Sequence, residues 1–191
     1  VIVIGVTGTK GKTSTVEIIN TILEEAGHKT AISSTLRFKI GEDSKDNLLK
    51  MTMPGRFFLQ QFLRQAVTTG CTHAIIEMTS EGTKQFRHKF IALDALVVTQ
   101  MAREHIESHG SFEKYFAAKM RIGQALARSH KRPRTIVANA DDPKGAAFLA
   151  LPVERRMPFS LQDAHEIVTE QHGVLFTYAG TRFELHQPGL F

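Results

Sequence analysis

Two rhythms of apolar residues alternate along the chain. Residues 1–6 (VIVIGV) form an unbroken, mostly β-branched run, the pattern of a strand buried on both faces. From 13 to 26 the spacing becomes helical, with Ile18, Ile19, Ile22 and Leu23 on the apolar stripe and Gly27 as the stop. Residues 30–34 predict a second strand, and 36–40 with 48–52 predict a hairpin around the polar turn 41–46. Pro54-Gly55 then breaks the chain before a helix over 56–69, whose apolar face carries Phe58, Leu59, Phe62, Leu63 and Ala66.

The same alternation continues. HAIIEM (73–78) is a buried strand running into Glu77 and followed by a polar loop, TSEGTKQFRH. DALVVT (94–99) is another strand with a polar sequel. Ser111 is placed as the N-cap of a helix that carries Phe112, Tyr115, Phe116, Lys119, Ile122 and Leu126 and ends in RSHKRPR. A strand over 135–138 precedes a short helix opened by Asp142-Pro143 and ending near Leu151. From Met157 the texture changes to short strands at 157–160, 166–169, 174–178 and 182–186, the last two joined by an Ala179-Gly180 turn. The expected fold class is α/β: a doubly wound, mostly parallel sheet with a small C-terminal β appendage. Residues 1–160 are expected to form the core and 161–191 the small β subdomain.

Length and composition narrow the function classes. The chain has 191 residues, enough for one domain with a substantial core, and no apolar run nears the ~20 residues that cross a bilayer. It opens in a core strand without an initiator Met, so trimmed chain ends and a missing N-terminal anchor or domain are expected. The one cysteine, Cys71, excludes an internal disulfide, reads as a buried small hydrophobe and fits a reducing cytoplasm. A net charge of +5 suits small anionic ligands such as nucleotides and is too modest to indicate nucleic acid.

The chemistry concentrates where strands end, because ligands of such sheets bind beyond their carboxyl ends. After the first strand comes VTGTKGKTST, with glycines at 5, 8 and 11. Strand, glycine loop, Lys-Thr, helix is the architecture of a phosphate-binding loop, although Val6 stands where the usual pattern has glycine. Gly8, Thr9, Lys10, Gly11, Lys12, Thr13 and Ser14 are the candidate nucleotide contacts. Lys12 would reach the β/γ-phosphates, and the Thr13 hydroxyl would ligate Mg²⁺. Glu77, ending a buried strand, needs a compensating partner, which a cation near Thr13 would supply. His105 and His109 stand among Glu104 and Glu107, a set that reads equally as a metal loop or a polar one. Asn139 and Asp142 read as a base-reading loop or a turn with a helix cap.

These motifs together resemble the central, ATP-binding domain of the Mur ligase family. VTGTKGKTST is similar to that family's threefold-spaced glycine loop, with Lys10 where the family usually has Asn. MTMP resembles its Thr-Thr-Pro segment, making Thr52 a substrate contact, with Met53 in place of the second Thr. EMTSEG is similar to its Glu-Val-Ser-Ser-His segment. That likeness implies Glu77 as a Mg²⁺ ligand and Ser80, with Arg87 of the same loop, as substrate contacts; Glu81 stands where the family has His. REHIESHG with FEKYFAAK parallels the stretch in which the family carries a metal-binding His and a carbamylated lysine. It thereby implies His105 as ligand of a second Mg²⁺ and Lys119 as a carbamate. ANADDP resembles the segment near the nucleotide, implicating Asn139 and Asp142.

The resemblance implies an ATP-dependent amide ligase of peptidoglycan-precursor synthesis. It would join an amino acid to a UDP-N-acetylmuramoyl peptide through an acyl phosphate, with Lys12, Lys119 and His105 as catalytic residues. ATP, two Mg²⁺ ions, a UDP-muramoyl peptide and an amino acid would be its small-molecule partners, in the cytoplasm and without membrane contact from this segment. The resemblance implies that a C-terminal domain supplying the amino-acid site and a substrate-binding N-terminal domain, cut away or never present, are absent from this segment, which is expected to be inactive alone. Alternatives are a folylpolyglutamate-synthase-like ligase, a GTP-reading switch, or a nucleotide-dependent scaffold.

Overall fold

The computed structural model describes residues 1–102, 109–170 and 173–185. Its centre is an eight-stranded sheet in the order β4-β3-β2-β5-β1-β6-β7-β8. The strands are β1 (Ile2–Thr7), β2 (Thr30–Ser33), β3 (Arg37–Ile40), β4 (Asp43–Asp46), β5 (His73–Glu77), β6 (Ala95–Val98), β7 (Thr135–Asn139) and β8 (Arg155–Phe159). From β2 to β8 all neighbours are parallel, and β3 and β4 add an antiparallel edge. The described helices are α1 (Lys12–Glu25), α2 (Arg56–Thr68), α3 (Ser80–Lys84), α4 (Phe112–Ala127) and α5 (Gly145–Leu149). This is the expected α/β fold class.

Helices cover both faces, as continuous apolar strands require. Ile32, Ile75 and Val6 pack with Val16 of α1 on one side. Ala31 and Ala74, one residue away along β2 and β5, meet Phe62 and Ala66 of α2 on the other. Ile76, Leu96 and Ile136 share that second layer with Ile122 and Leu126 of α4 and Phe148 of α5. The chain leaves β1 through α1 towards β2, crosses over β1 from β5 to β6, and leaves β6 towards β7 on the opposite side. The crevice between β1 and β6 is therefore the switch point at which such sheets take ligands.

Three local expectations are corrected. The stripe of α1 is rotated: Val16 and Asn20 are buried, whereas Ile18 and Ile22 are exposed, Ile22 by 62%. Asn20 draws the polar side inward by accepting from the Thr30 hydroxyl at 2.6 Å. The hairpin turns at Gly41, whose φ of +61° suits a tight reversal, and its second arm is the polar Asp43–Asp46 instead of 48–52. An exposed edge strand needs no apolar alternation, so the apolar count misplaced it. The polar loop after β5 contains α3, capped by Thr79, whose hydroxyl accepts from Gly82 N at 3.0 Å.

The C-terminal strands β9 (Ala164–Glu170), β10 (Gly173–Tyr178) and β11 (Thr181–Leu185) form a separate antiparallel sheet. Phe176 and Phe183 stack across β10 and β11 at 5.2 Å, and Ala179 and Gly180 turn the hairpin with φ of 49° and 77°. β8, by contrast, pairs with β7 inside the main sheet.

Candidate active site at the carboxyl edge of the sheet

The loop leaving β1 is stitched to the end of β6. Thr9 N donates to Gln100 O at 2.7 Å, and the Thr99 hydroxyl donates to Lys10 O at 2.7 Å. Gly8 has φ of +147°, and a Cβ built on it would lie 1.8 Å from Thr99 Oγ1. Only glycine leaves room there for the Thr99 side chain. α1 then begins at Lys12 with Gly11 as N-cap and no side-chain cap. Its first-turn N–H groups and positive dipole end converge on the crevice, a ready-made anion site.

Two lysines brace this loop from within. Lys12 Nζ donates to Gly8 O at 3.1 Å and Thr9 O at 2.8 Å. Lys119, from α4, donates to the same Gly8 O at 2.9 Å and to Thr7 Oγ1 at 3.4 Å. Lys119 is 2% exposed. Burial, reinforced by Lys12 and opposed by Glu77, lowers its pKa to about 7. The Tyr115 ring lies 5.0 Å from Lys119 Nζ, and the Tyr115 hydroxyl bonds Thr9 Oγ1 at 2.8 Å.

Facing the loop, Glu77 is 1% exposed at the end of β5. Its Oε2 accepts three hydrogen bonds: from the Thr13 hydroxyl at 3.0 Å, from Thr35 N at 2.9 Å and from the Thr35 hydroxyl at 3.0 Å. The Thr35 hydroxyl, its proton on Glu77, accepts from the Thr52 hydroxyl 2.9 Å away, which carries the network from the loop to the 50s segment. Arg87 donates to the Met53 carbonyl, and Met53 is itself buried against Gly82. Ser80 Oγ and His109 Nε2 lie 3.1 Å apart. All of these line one open cleft of roughly 690 Å³.

The cleft thus brings together Gly8, Thr9, Lys12, Thr13, Thr52, Glu77, Ser80, Arg87 and Lys119. Lys10 and Ser14 are exposed near its mouth. Asn139 and Asp142 lie outside its lining, at the end of β7. Asn139 Oδ1 accepts from Asp141 N at 2.9 Å, and the Asp142 carboxylate accepts from Met101 N and Lys144 N. Asp141 ties the end of β7 to the turn that follows β8, accepting from Leu161 N and Ser160 Oγ, both at 2.7 Å, and these bonds hold its carboxyl below the usual range. His105 lies outside the described residues.

Sequence reasoning missed Thr35 and the linking role of Tyr115. Thr35 follows the carboxyl end of β2, so examining that strand end as the others were examined would have found it.

The donor set fits a hard divalent cation. It offers one buried carboxylate and neighbouring hydroxyls, all oxygen, with room for phosphate and water to complete an octahedron. Among the described residues no cluster of three or more His, Cys, Asp or Glu suggests a softer metal. No helix among them is long and apolar enough to cross a membrane.

Comparison with known proteins agrees with the geometry. The family described as Mur ligase middle domain matches residues 6–190. A UDP-N-acetylmuramyl-tripeptide synthetase of Roseiflexus sp. (strain RS-1) is 33% identical over 97% of this chain and 38% of its own length. A UDP-N-acetylmuramoyl-L-alanyl-D-glutamate–2,6-diaminopimelate ligase of Halalkalibacterium halodurans is 30% identical over 95% of this chain and 36% of its own. A solved structure of a ligase with that same name superposes with a TM-score of 0.78 at 23% identity, covering 96% of this chain and 38% of that one. The chain therefore spans little more than a third of the length of these relatives.

Proposed function

Because the chain belongs to the Mur ligase family, as its middle domain, we propose that it is the ATP-binding part of an amide ligase of peptidoglycan-precursor synthesis. The protein containing it joins an amino acid to a UDP-N-acetylmuramoyl peptide in the cytoplasm. Residues 1–160 serve as the nucleotide-binding core, and 161–191 as a small β subdomain of the same middle domain. The observation that carries this reading is the Thr13–Glu77–Thr35–Thr52 chain of hydrogen bonds. It joins the glycine loop to the segment expected to meet the muramoyl substrate, inside one cleft.

In this reading the N–H groups after Gly8 and the start of α1 hold the β- and γ-phosphates of ATP. Lys12 swings from the loop carbonyls to the phosphates when they arrive. Thr13 and Glu77 would hold Mg²⁺, which when bound neutralises charge on the phosphates. The substrate carboxylate, steered by Thr52, Ser80 and Arg87, attacks the γ-phosphorus. Its P–O bond forms as the bond to ADP breaks, giving an acyl phosphate. The amine of the amino acid then attacks the acyl carbon, phosphate leaves, and one amine proton passes to solvent.

Lys119 is suited to carbamylation. Its neutral amine adds to CO₂, a C–N bond forms and one proton is released, which leaves an anion able to hold a second Mg²⁺ with His105. Asn139 and Asp142 would border the nucleotide from β7.

The test gives full-length protein ATP, UDP-muramoyl peptides and a panel of amino acids and follows phosphate release. Release that requires a muramoyl peptide and one amino acid supports the assignment. Release supported by folate with glutamate, and by no muramoyl peptide, overturns it.

A further inference from the structure

One tyrosine joins the glycine loop, Lys119 and His109, and no motif drew attention to it. Tyr115 is 1% exposed on α4, one turn before Lys119. Its hydroxyl bonds Thr9 Oγ1 at 2.8 Å, inside the glycine loop. Its ring lies 5.0 Å from Lys119 Nζ, within cation–π range. Its edge meets the His109 ring at 5.5 Å, and His109 in turn reaches Ser80 Oγ. Thr9 is also the residue whose hydroxyl accepts from Ala102 N at 2.9 Å.

A buried hydroxyl against a loop that must hold a fixed anion-binding shape is a constraint on that shape. A ring packed along an amine restricts the directions in which that amine, or any group built on it, can point.

We propose that Tyr115 is a positioning residue with two separable arms: its hydroxyl sets the phosphate loop through Thr9, and its ring aims Lys119 into the cleft. The proposal rests on the ligase reading above and extends it to a residue that touches neither phosphate nor metal. Tyr115→Phe removes the first arm and keeps the second. Tyr115→Leu removes both. The arms therefore predict different failures, which a general packing role would not.

The experiment uses full-length protein and two readouts besides turnover. The first is calorimetric binding of MgADP; the second is the carbamate carbon signal by NMR in ¹³C-bicarbonate, with thermal melting as a check on folding. Tyr115→Phe should weaken MgADP about five- to tenfold, the worth of one buried hydrogen bond, and leave the carbamate signal at the parent level. Tyr115→Leu should weaken MgADP comparably and also lose most of the carbamate signal. Thr9→Val should reproduce the MgADP loss, and combining it with Tyr115→Phe should add little, because the two share one contact.

A Tyr115→Phe protein that binds MgADP within twofold of the parent overturns the hydroxyl arm. A folded Tyr115→Leu protein with a parental carbamate signal overturns the ring arm. If Tyr115→Leu does not fold, Tyr115→Trp, which keeps an aromatic face, must retain the carbamate or the ring arm fails. A parent that shows neither MgADP binding nor a carbamate signal overturns the ligase reading itself, and this inference with it.

Discussion

The Thr13 hydroxyl donates to Glu77 Oε2 at 3.0 Å, joining the first turn of α1 to the buried end of β5 across 64 residues of chain. β1 and β5 are hydrogen-bonded parallel neighbours, with Val6 in register with Glu77, so the sheet itself fixes this pair. A carboxylate 1% exposed beside an uncapped helix N-terminus is a place built for positive charge.

Glu77→Gln keeps the shape and removes the charge. If Glu77 holds Mg²⁺ as proposed, the gain in ADP affinity on adding Mg²⁺ should shrink by about 10-fold or more. Calorimetry with and without Mg²⁺ measures it. An unchanged gain would remove Glu77 from the metal site.

Gly8→Ala tests the close approach of the loop to β6. The new Cβ would meet Thr99 Oγ1 at 1.8 Å in a region of backbone that side chains avoid. A loss of roughly 2–4 kcal/mol in stability and most of the nucleotide affinity is expected. Trimming Thr99 to Ala in the same protein should recover part of the stability and little of the binding. Chemical denaturation and calorimetry separate the two.

Much of the fold was legible because buried strands and amphipathic helices write their periods directly. The glycine loop, the HAIIEM strand and the capped helix from Phe112 all lie where the pattern placed them. What escaped was set by tertiary partners. Asn20 turned α1 by finding Thr30, and the polar β4 paired at an edge where no apolar face is required. In the site, residues carrying a motif could be named from sequence, whereas Thr35 and Tyr115 matter through distant contacts with Glu77 and Thr9. At 106 residues from Thr9, Tyr115 leaves no local signature, whereas Thr35, 42 residues from Glu77, is marked only by its place after a strand end.

Lys119 should impose a pH dependence on stability. Its folded pKa is about 7 against an ordinary 10.5, so between those values the unfolded chain binds more protons. Stability must therefore rise with pH across that window. Lys119→Met, which carries no such proton, should be more stable than the parent near pH 7 by a few kcal/mol, and the gap should close towards pH 10. Urea melts in CO₂-free buffer read this out. A gap independent of pH would mean that the lysine is not held neutral. Carbamylation should follow the same amine, since a pKa lowered to about 7 leaves a far larger neutral fraction near neutrality than the roughly one in a thousand of a solvated lysine.

Phe62→Ala offers a contrast remote from the chemistry. Phe62 is 3% exposed between α2 and the alanines of β2 and β5. Truncation should cost about 3–5 kcal/mol of stability. Nucleotide affinity at a temperature where the variant is folded should match the parent. A joint loss of both would show that the α2 layer also shapes the cleft.

The reading stands on the cleft between the glycine loop after β1 and Glu77 at the end of β5 holding the terminal phosphates of ATP with Mg²⁺. Titrating the folded full-length protein with ATP and with GTP by calorimetry, in the presence of Mg²⁺, tests it most directly. ATP should bind saturably, more tightly than GTP, and Lys12→Ala should weaken that binding severely. No heat of association with ATP at millimolar concentration, or a clear preference for GTP, would contradict it.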